Sequence, residues 1–265
     1  MGSLLDFSDR TVVITGAASG IGAATAELLL ERGAEIHALD IAPVAAPVQR
    51  AHECDMGDPA SIDAAVAALP NRVDALFNCA GVPNGGRFTP EEVMRINWLG
   101  LRHLTESLLP RIVDGGSVVH VASTAGRGWP ERAPVMMQLM AASSFADGLG
   151  WVDANLDVCG DGYALSKEAV QYYTLSRSLQ TRQQGVRINS ICPGVTNTAL
   201  VDDFRRGVSS QVLDRAISIA GRMAEPSEMA PALLFLADDA SSSYINGVNL
   251  NIDSGTGAAH ATGAW

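Results

Sequence analysis

Short runs of β-branched and other apolar residues alternate along the chain with longer alanine- and leucine-rich stretches whose apolar positions recur at helical spacing. Strand-length runs cover residues 11–15, 35–39, 50–54, 73–78, 117–122, 186–191 and 248–252, and their composition is that of strands buried on both faces. Helical patterns fall near 21–32, 59–69, 90–109, 163–183 and 227–236. Such alternation builds βαβ units, so the predicted architecture is α/β: a doubly wound sheet of about seven mostly parallel strands with helices on both faces. Neither a repeat nor a linker divides residues 1–265, which read as a single domain. One segment breaks the rhythm. Residues 127–160, between the fifth strand and the following helix, are far longer than a usual connection.

Composition narrows the function classes. The 265 residues are 47% hydrophobic and 18% charged, enough to bury a large core. The 29 acidic against 18 basic residues give a net charge of −11, and the basic ones are scattered arginines without a stripe, which disfavours nucleic acid or an anionic membrane as partner. No run approaches the roughly 18 apolar residues of a membrane span. The first ten residues lack a basic-then-apolar leader pattern, and Asp6 stands where a myristoylation signal needs Ser or Thr. Cys54, Cys79, Cys159 and Cys192 form no C-x-x-C pair, so no metal site and no disulfide framework are expected, and a reducing cytoplasm is the natural compartment. Lys167 is the only lysine among the 18 basic residues. Codon bias explains the shortage as well as function does, but the position of the survivor is informative.

The first predicted strand runs directly into Thr15-Gly16-Ala17-Ala18-Ser19-Gly20-Ile21-Gly22 and then an alanine-rich helical pattern. Glycines there permit a tight turn and let backbone N–H groups approach a pyrophosphate at the positive end of the helix. The spacing is G-x-x-x-G-x-G, not G-x-G-x-x-G, and by itself it fits a ligand-free turn too. Its place right after the first strand favours the nucleotide reading. Asp40 closes the second strand, where a carboxylate accepts from a ribose 2′-hydroxyl and repels a 2′-phosphate. No arginine or lysine stands in the glycine loop or directly after Asp40, so NAD is expected in preference to NADP. The plainer reading is an exposed aspartate at a strand end.

Only 4 tyrosines occur in the chain, and one of them, Tyr163, stands four positions before the single lysine. That spacing puts Tyr163 and Lys167 on one face of a helix. A phenol has an ordinary pKa of about 10, and a nearby ammonium favours the phenolate, each unit of lowering being worth about 1.4 kcal/mol. The pair is therefore expected to provide a general base near neutrality. Ser123 ends the fifth strand, on the sheet edge where ligands bind in open α/β folds. Alone it fits a small polar strand terminator equally well; jointly with Tyr163 and Lys167 it reads as a hydroxyl that holds the substrate oxygen.

Taken together, residues 15–22, Asp40, Asp55, Asn78-Cys79-Ala80-Gly81, Asn97 followed by Gly100, Ser123, Tyr163 with Lys167, and Pro193-Gly194 followed by Thr198 resemble the short-chain dehydrogenase/reductase family. The resemblance covers essentially the whole chain and implies a Rossmann-type fold. It implies a catalytic tetrad of Asn97, Ser123, Tyr163 and Lys167, with Asn97 helping to hold a water that relays protons from Lys167. It also implies a cofactor site: Gly16, Ser19, Gly20, Ile21, Gly22, Asp40 and Ile41 toward the adenosine and phosphates, and Asp55 and Met56 bordering the adenine. Asn78, Ala80 and Gly81 would line the cofactor, Tyr163 and Lys167 would meet the nicotinamide ribose, and Pro193, Gly194, Val195 and Thr198 would lie by the nicotinamide and phosphates. No metal is implied. Within the family the chain is similar to bacterial 3α-hydroxysteroid dehydrogenase/carbonyl reductases and coniferyl-alcohol dehydrogenases. Ala80-Gly81-Val82-Pro83, Asn97-Trp98-Leu99-Gly100-Leu101, Ala224-Glu225-Pro226-Ser227-Glu228-Met229, Ile245-Asn246-Gly247 before Asp253, and the long interval between Ser123 and Tyr163 carry that similarity. Cys79, where asparagine is commoner, and Ser254, where glycine is commoner, depart from the pattern.

The implied activity is an NAD-dependent alcohol dehydrogenase or carbonyl reductase acting on a small apolar alcohol, ketone or aldehyde, in a homo-oligomer, dimer ahead of tetramer. Trp129, Met136, Met137, Leu139, Met140, Phe145, Leu149 and Trp151 suit an apolar wall over the site, or else an insertion packed on the surface or at a subunit interface. Residues 200–222 are expected to form a lid and 255–265 a tail or a cap. A 3-oxoacyl ketoreductase would prefer NADP and a basic patch for its acidic carrier, against Asp40 and the −11 charge. A sugar epimerase or dehydratase would need a larger substrate domain. A noncatalytic NAD-binding regulator has no need of the full tetrad.

Overall fold

The computed structural model describes residues 5–207 and 210–264. Seven strands, β1 (Thr11–Thr15), β2 (Glu35–Asp40), β3 (Arg50–Glu53), β4 (Val73–Asn78), β5 (Ile112–Val121), β6 (Arg187–Pro193) and β7 (Asn249–Ile252), form one sheet in the order β3-β2-β1-β4-β5-β6-β7. All six neighbouring pairs are parallel. The chain leaves β1 toward β2 and β3 on one side and continues from β4 to β7 on the other. The carboxyl ends of β1 and β4 thus flank the crevice where the winding reverses, the place where open α/β sheets bind ligands.

Helices cover both faces. They are α1 (Gly20–Glu31), α2 (Pro59–Ala68), α3 (Pro90–Met94), α4 (Leu101–Leu108), α5 (Ala133–Ala141), α6 (Phe145–Ala154), α7 (Leu156–Cys159), α8 (Tyr163–Gln183), α9 (Val201–Gly207), α10 (Ser210–Ala220), α11 (Pro226–Ala237), α12 (Asp239–Ser242) and α13 (Thr256–Ala261). The side-chain period of two divides β1 between the layers: Val13 packs with Leu104, Leu165 and Val170 on one face, Val12 and Ile14 with Leu29, Leu233 and Leu234 on the other. Both layers bury their apolar side chains, and Trp98, Phe7 and Phe77 are among the largest fully buried ones.

Three features depart from the predicted pattern. The helix expected over 90–109 is interrupted by a π-helical segment, Arg95–Gly100, between α3 and α4. Gly100 lets that segment sit on the loop after β3, since a Cβ there would lie 1.9 Å from the Met56 carbonyl oxygen. Strand β5 begins at Ile112, five residues before the expected start, because Ile112 pairs with Val73 ahead of a register shift that the apolar pattern does not reveal. Residues 127–160 hold three helices, α5, α6 and α7. The expected lid includes Val208 and Ser209, the expected tail Trp265 and the amino-terminal signal reading Met1 to Leu4, all outside the described residues.

Candidate active site

The loop after β1 is built for close backbone approach. Gly16 adopts φ +70°, and a Cβ on it would stand 2.7 Å from the Ala80 nitrogen; a Cβ on Gly22 would stand 2.0 Å from the Gly16 carbonyl oxygen. Only glycine fits either place. The Ser19 side chain makes no capping bond at the start of α1 and no acidic residue occupies the first turn, so the positive helix end is open to the cleft. Thr15 contributes something the sequence did not single out: its hydroxyl accepts from the Cys79 and Ala80 N–H groups, 3.0 Å each, and draws the loop after β4 against the glycine turn.

Asp40 accepts from the Ala18 N–H through one carboxylate oxygen and from the Ala42 N–H through the other, both at 2.9 Å. Each oxygen keeps further accepting capacity toward the cleft. Beside it Ile41 is 68% exposed, a flat apolar surface at the cleft rim. Asp55 accepts from the Gly57 N–H at 2.7 Å, and Met56 is buried next to it. The N-terminus of α1, the glycine cradle and these acceptors together fit a dinucleotide laid across the crevice, pyrophosphate on α1 and ribose on Asp40.

At the other end of the cleft, Asp161 fixes the start of α8 by accepting from the Tyr163 N–H at 3.0 Å and from the Asn84 side-chain amide. Tyr163 opens on the cleft, and its hydroxyl lies in hydrogen-bond reach of Ser123. Gln171, two turns along α8, donates to the Ser123 carbonyl at 2.7 Å and holds that residue in place. The Lys167 Nζ sits 5.8 Å from the centroid of the Tyr163 ring and donates to the Val121 carbonyl at 2.9 Å. Desolvation pushes Tyr163 up to about 12 against the opposing hydrogen bond from Ser123, and burial pushes Lys167 down to about 8. Burial thus acts on both groups toward their neutral forms, the phenol and the amine.

Two residues expected at the site do not line the cleft. The Asn78 amide turns inward, donating to the Thr105 hydroxyl at 3.0 Å and meeting the His120 ring nitrogen at 3.0 Å. Asn97, fully buried in the π-helical segment, accepts from the Val82 N–H at 2.8 Å and donates to the Val82 carbonyl at 2.9 Å. Both side chains hold the walls from behind. The remaining expected residues, Gly16, Ser19, Gly20, Ile21, Gly22, Asp40, Ile41, Asp55, Met56, Ala80, Gly81, Ser123, Tyr163, Lys167, Pro193, Gly194, Val195 and Thr198, all line it.

The cleft encloses about 1270 Å³. Its apolar wall near Tyr163 does not come from the apolar residues of the insertion. Trp129, Met136, Leu139, Met140, Phe145, Leu149 and Trp151 pack into the core beneath α4 and α8, and Met137 points outward, so the insertion gives the cleft only Arg127, Gly128, Glu131 and Arg132. The wall comes instead from Phe88 and from Leu200, Val201, Phe204, Val212, Leu213 and Ala216 of the lid segment. Asp203, buried at the foot of α9, accepts from Arg87 on the facing rim at 3.3 Å and ties the lid down. His260 and Ala261 of α13 also border the cleft, so that helix closes part of its rim. No short-range signal marks these residues. Cys54 and Cys79 face the cleft but burial raises their thiols to about 11 and 12, out of range for a thiolate nucleophile. Among the described residues no group of three or more His, Cys, Asp or Glu could hold a metal ion.

Comparison with known proteins agrees with this geometry. The family model described as short chain dehydrogenase matches residues 10–135, and one described as enoyl-(acyl carrier protein) reductase matches 154–257. A coniferyl-alcohol dehydrogenase of Pseudomonas sp. is 32% identical, with 95% of this chain and 98% of that protein covered. A cis-4-hydroxycyclohexanecarboxylate dehydrogenase of Sinomonas cyclohexanicum is also 32% identical, over 94% and 97%. The crystal structure of a 3-alpha-hydroxysteroid dehydrogenase from Pseudomonas sp. B-0831, complexed with NADH, superposes with a TM-score of 0.81 at 28% identity, covering 96% and 99% of the two chains. With glycine cradle, Ser123, Tyr163 and Lys167 at one crevice and relatives matched along nearly their full length, the chain belongs to the short-chain dehydrogenase family of oxidoreductases.

Proposed function

We propose that this protein is an NAD-dependent alcohol dehydrogenase or carbonyl reductase that moves hydride between the nicotinamide and an apolar alcohol, with Tyr163 as the proton carrier. The observation that carries the reading is the meeting of the Tyr163 hydroxyl with Ser123 beneath an apolar wall, beside the buried Lys167 and at the mouth of a dinucleotide crevice. NAD, when bound, supplies the hydride chemistry. The protein's own part is orientation and proton transfer.

In the reductive direction Ser123 donates to the carbonyl oxygen, and protonated Tyr163 gives its proton to the alkoxide as it forms. Even at about 12 the phenol is a far stronger acid than the alcohol produced, so the proton moves downhill. Oxidation requires the reverse, and Tyr163 must then accept the hydroxyl proton as phenolate. Lys167, beside the ring, stabilises that anion whenever it is charged. Asn97 acts as a positioning residue that fixes Val82 on the cleft wall. Asp40 supports NAD over NADP, since a 2′-phosphate would face a carboxylate with no nearby cation.

The substrate reading, a hydroxysteroid, aromatic allylic or terpenoid alcohol, rests on Phe88, Leu200, Phe204 and Leu213 and on the coniferyl-alcohol and 3-alpha-hydroxysteroid dehydrogenases among the relatives. Four free cysteines support a reducing cytoplasm. No helix among the described residues is long and apolar enough to cross a membrane. A homo-oligomer is supported by Leu179, 76% exposed on the outer face of α8, and sedimentation that shows a monomer at all concentrations would refute it. The central test is a panel of those three alcohol classes with NAD and NADP separately, following absorbance of the reduced cofactor. NAD bound but never reduced across the panel would favour the noncatalytic regulator.

A further inference from the structure

Charged side chains along the cleft fall into three groups. Asp40 and Asp55 stand at the nucleotide end and Lys167 beside Tyr163, whereas Arg127, Glu131, Arg132 and Glu168 serve neither the cofactor nor the proton transfer. Glu168 is the most telling of these. It follows Lys167 directly on α8, its side chain is only 6% exposed, and it borders the cleft.

Burying a carboxylate costs free energy unless hydrogen bonds replace its water. Here that replacement is incomplete. The Arg132 Nη1 approaches Oε2 to 3.1 Å but outside hydrogen-bonding direction, so Oε2 has no hydrogen-bond partner. The other arm of Arg132 donates to the Val158 carbonyl at 2.7 Å. Gly128 faces Oε1, and a Cβ on it would stand 2.9 Å from that oxygen. The glycine thus leaves open the edge of the carboxylate that a side chain would cover. Burial raises Glu168 above the usual carboxylate range, as an under-solvated acceptor should be.

We propose that Glu168, with Gly128 and Arg132, forms a second subsite that accepts a hydrogen bond from a hydroxyl group carried by the substrate at a distance from the reacting carbinol. The inference rests on the dehydrogenase reading above and deepens it: the substrate is an apolar alcohol with a second hydroxyl at its far end. Glu168 lies five residues beyond Tyr163 on the same helix, about 7.5 Å along its axis, and both border the one cleft. A phenolic and an aliphatic hydroxyl present the same donor to the carboxylate.

The test is discrimination between matched alcohols by the intact enzyme with NAD: 4-hydroxycinnamyl against cinnamyl alcohol, and 1,4-cyclohexanediol against cyclohexanol. The wild-type enzyme is expected to favour the hydroxylated member of at least one pair by about tenfold in kcat/KM, the size of one hydrogen bond to a buried charge. Preference in the first pair alone identifies a phenolic partner, and in the second alone an aliphatic one. Glu168→Leu and Gly128→Ala should bring the ratio to about one, while Glu168→Gln, which still offers a carbonyl acceptor, retains part of it. Rates on the plain alcohol should stay near wild type. Gly128→Ala leaves both charged partners in place, so it serves as the test where Glu168→Leu does not fold. A wild-type ratio of one in both pairs, or a ratio untouched by either variant, overturns the subsite alone. Failure to oxidise every member of the wider panel overturns the dehydrogenase reading and the subsite with it.

Discussion

The rings of Phe204 and Tyr163 meet edge to face, their centroids 4.7 Å apart and their planes at 75°. A lid residue from α9 therefore rests on the proposed proton carrier and helps to keep water from it. Phe204→Ala should raise KM for apolar alcohols several-fold by opening the wall. It should also move the alkaline limb of the pH profile to lower pH, because desolvation is the largest influence raising Tyr163. Both are read from steady-state rates between neutral and alkaline pH, and an unmoved alkaline limb would show that Phe204 does not desolvate the phenol.

Burial favours the protonated phenol of Tyr163, which gives the two directions different pH behaviour. Oxidation needs the phenolate, so its kcat/KM should climb with pH through the alkaline range. Reduction needs the phenol and should stay level there. Tyr163→Phe should lower turnover roughly a thousandfold while NADH affinity, followed by fluorescence, stays near wild type. Wild-type turnover in that variant would remove Tyr163 from the chemistry.

Asp40→Ser should relax the preference for NAD over NADP by roughly tenfold or more, since a close carboxylate repels a 2′-phosphate at short range. Because Asp40 also accepts from the Ala18 and Ala42 N–H groups, the variant should melt at a lower temperature as well. The ratio of kcat/KM values for the two cofactors separates the electrostatic effect from the loss of stability.

His120 gives the fold an acid-sensitive point. Complete burial pushes its ring from 6.5 down to about 3, with a smaller contribution from Lys167. Between those values the unfolded chain binds a proton that the native one does not, so stability falls as pH drops from 6.5 toward 3. The loss is on the order of several kcal/mol. His120→Gln should flatten the acid limb of a melting-temperature profile relative to wild type, even with a lower melting temperature at pH 7. Parallel acid limbs in the two proteins would contradict the assignment.

What the sequence settled by itself was local or periodic. The runs 11–15 and 73–78 coincide with β1 and β4, and 163–183 with α8, because strand and helix periods depend on near neighbours. The glycine turn and the Tyr163–Lys167 face were legible for the same reason, as each is contained in eight residues or fewer. The tertiary structure decided everything that depends on what packs across a gap. Asn78 and Asn97 carry the right residue type at the right positions, yet their amides satisfy His120 and Val82 instead of facing the cleft. The apolar residues of 127–160 have the composition of a substrate wall, but they are drawn into the core against α8 and leave the wall to Phe88 and the lid. The ionisation of Tyr163 was likewise beyond the sequence. Spacing shows that an ammonium is near, but only the packed surroundings set how far water is removed from the phenol, and desolvation is the largest influence there.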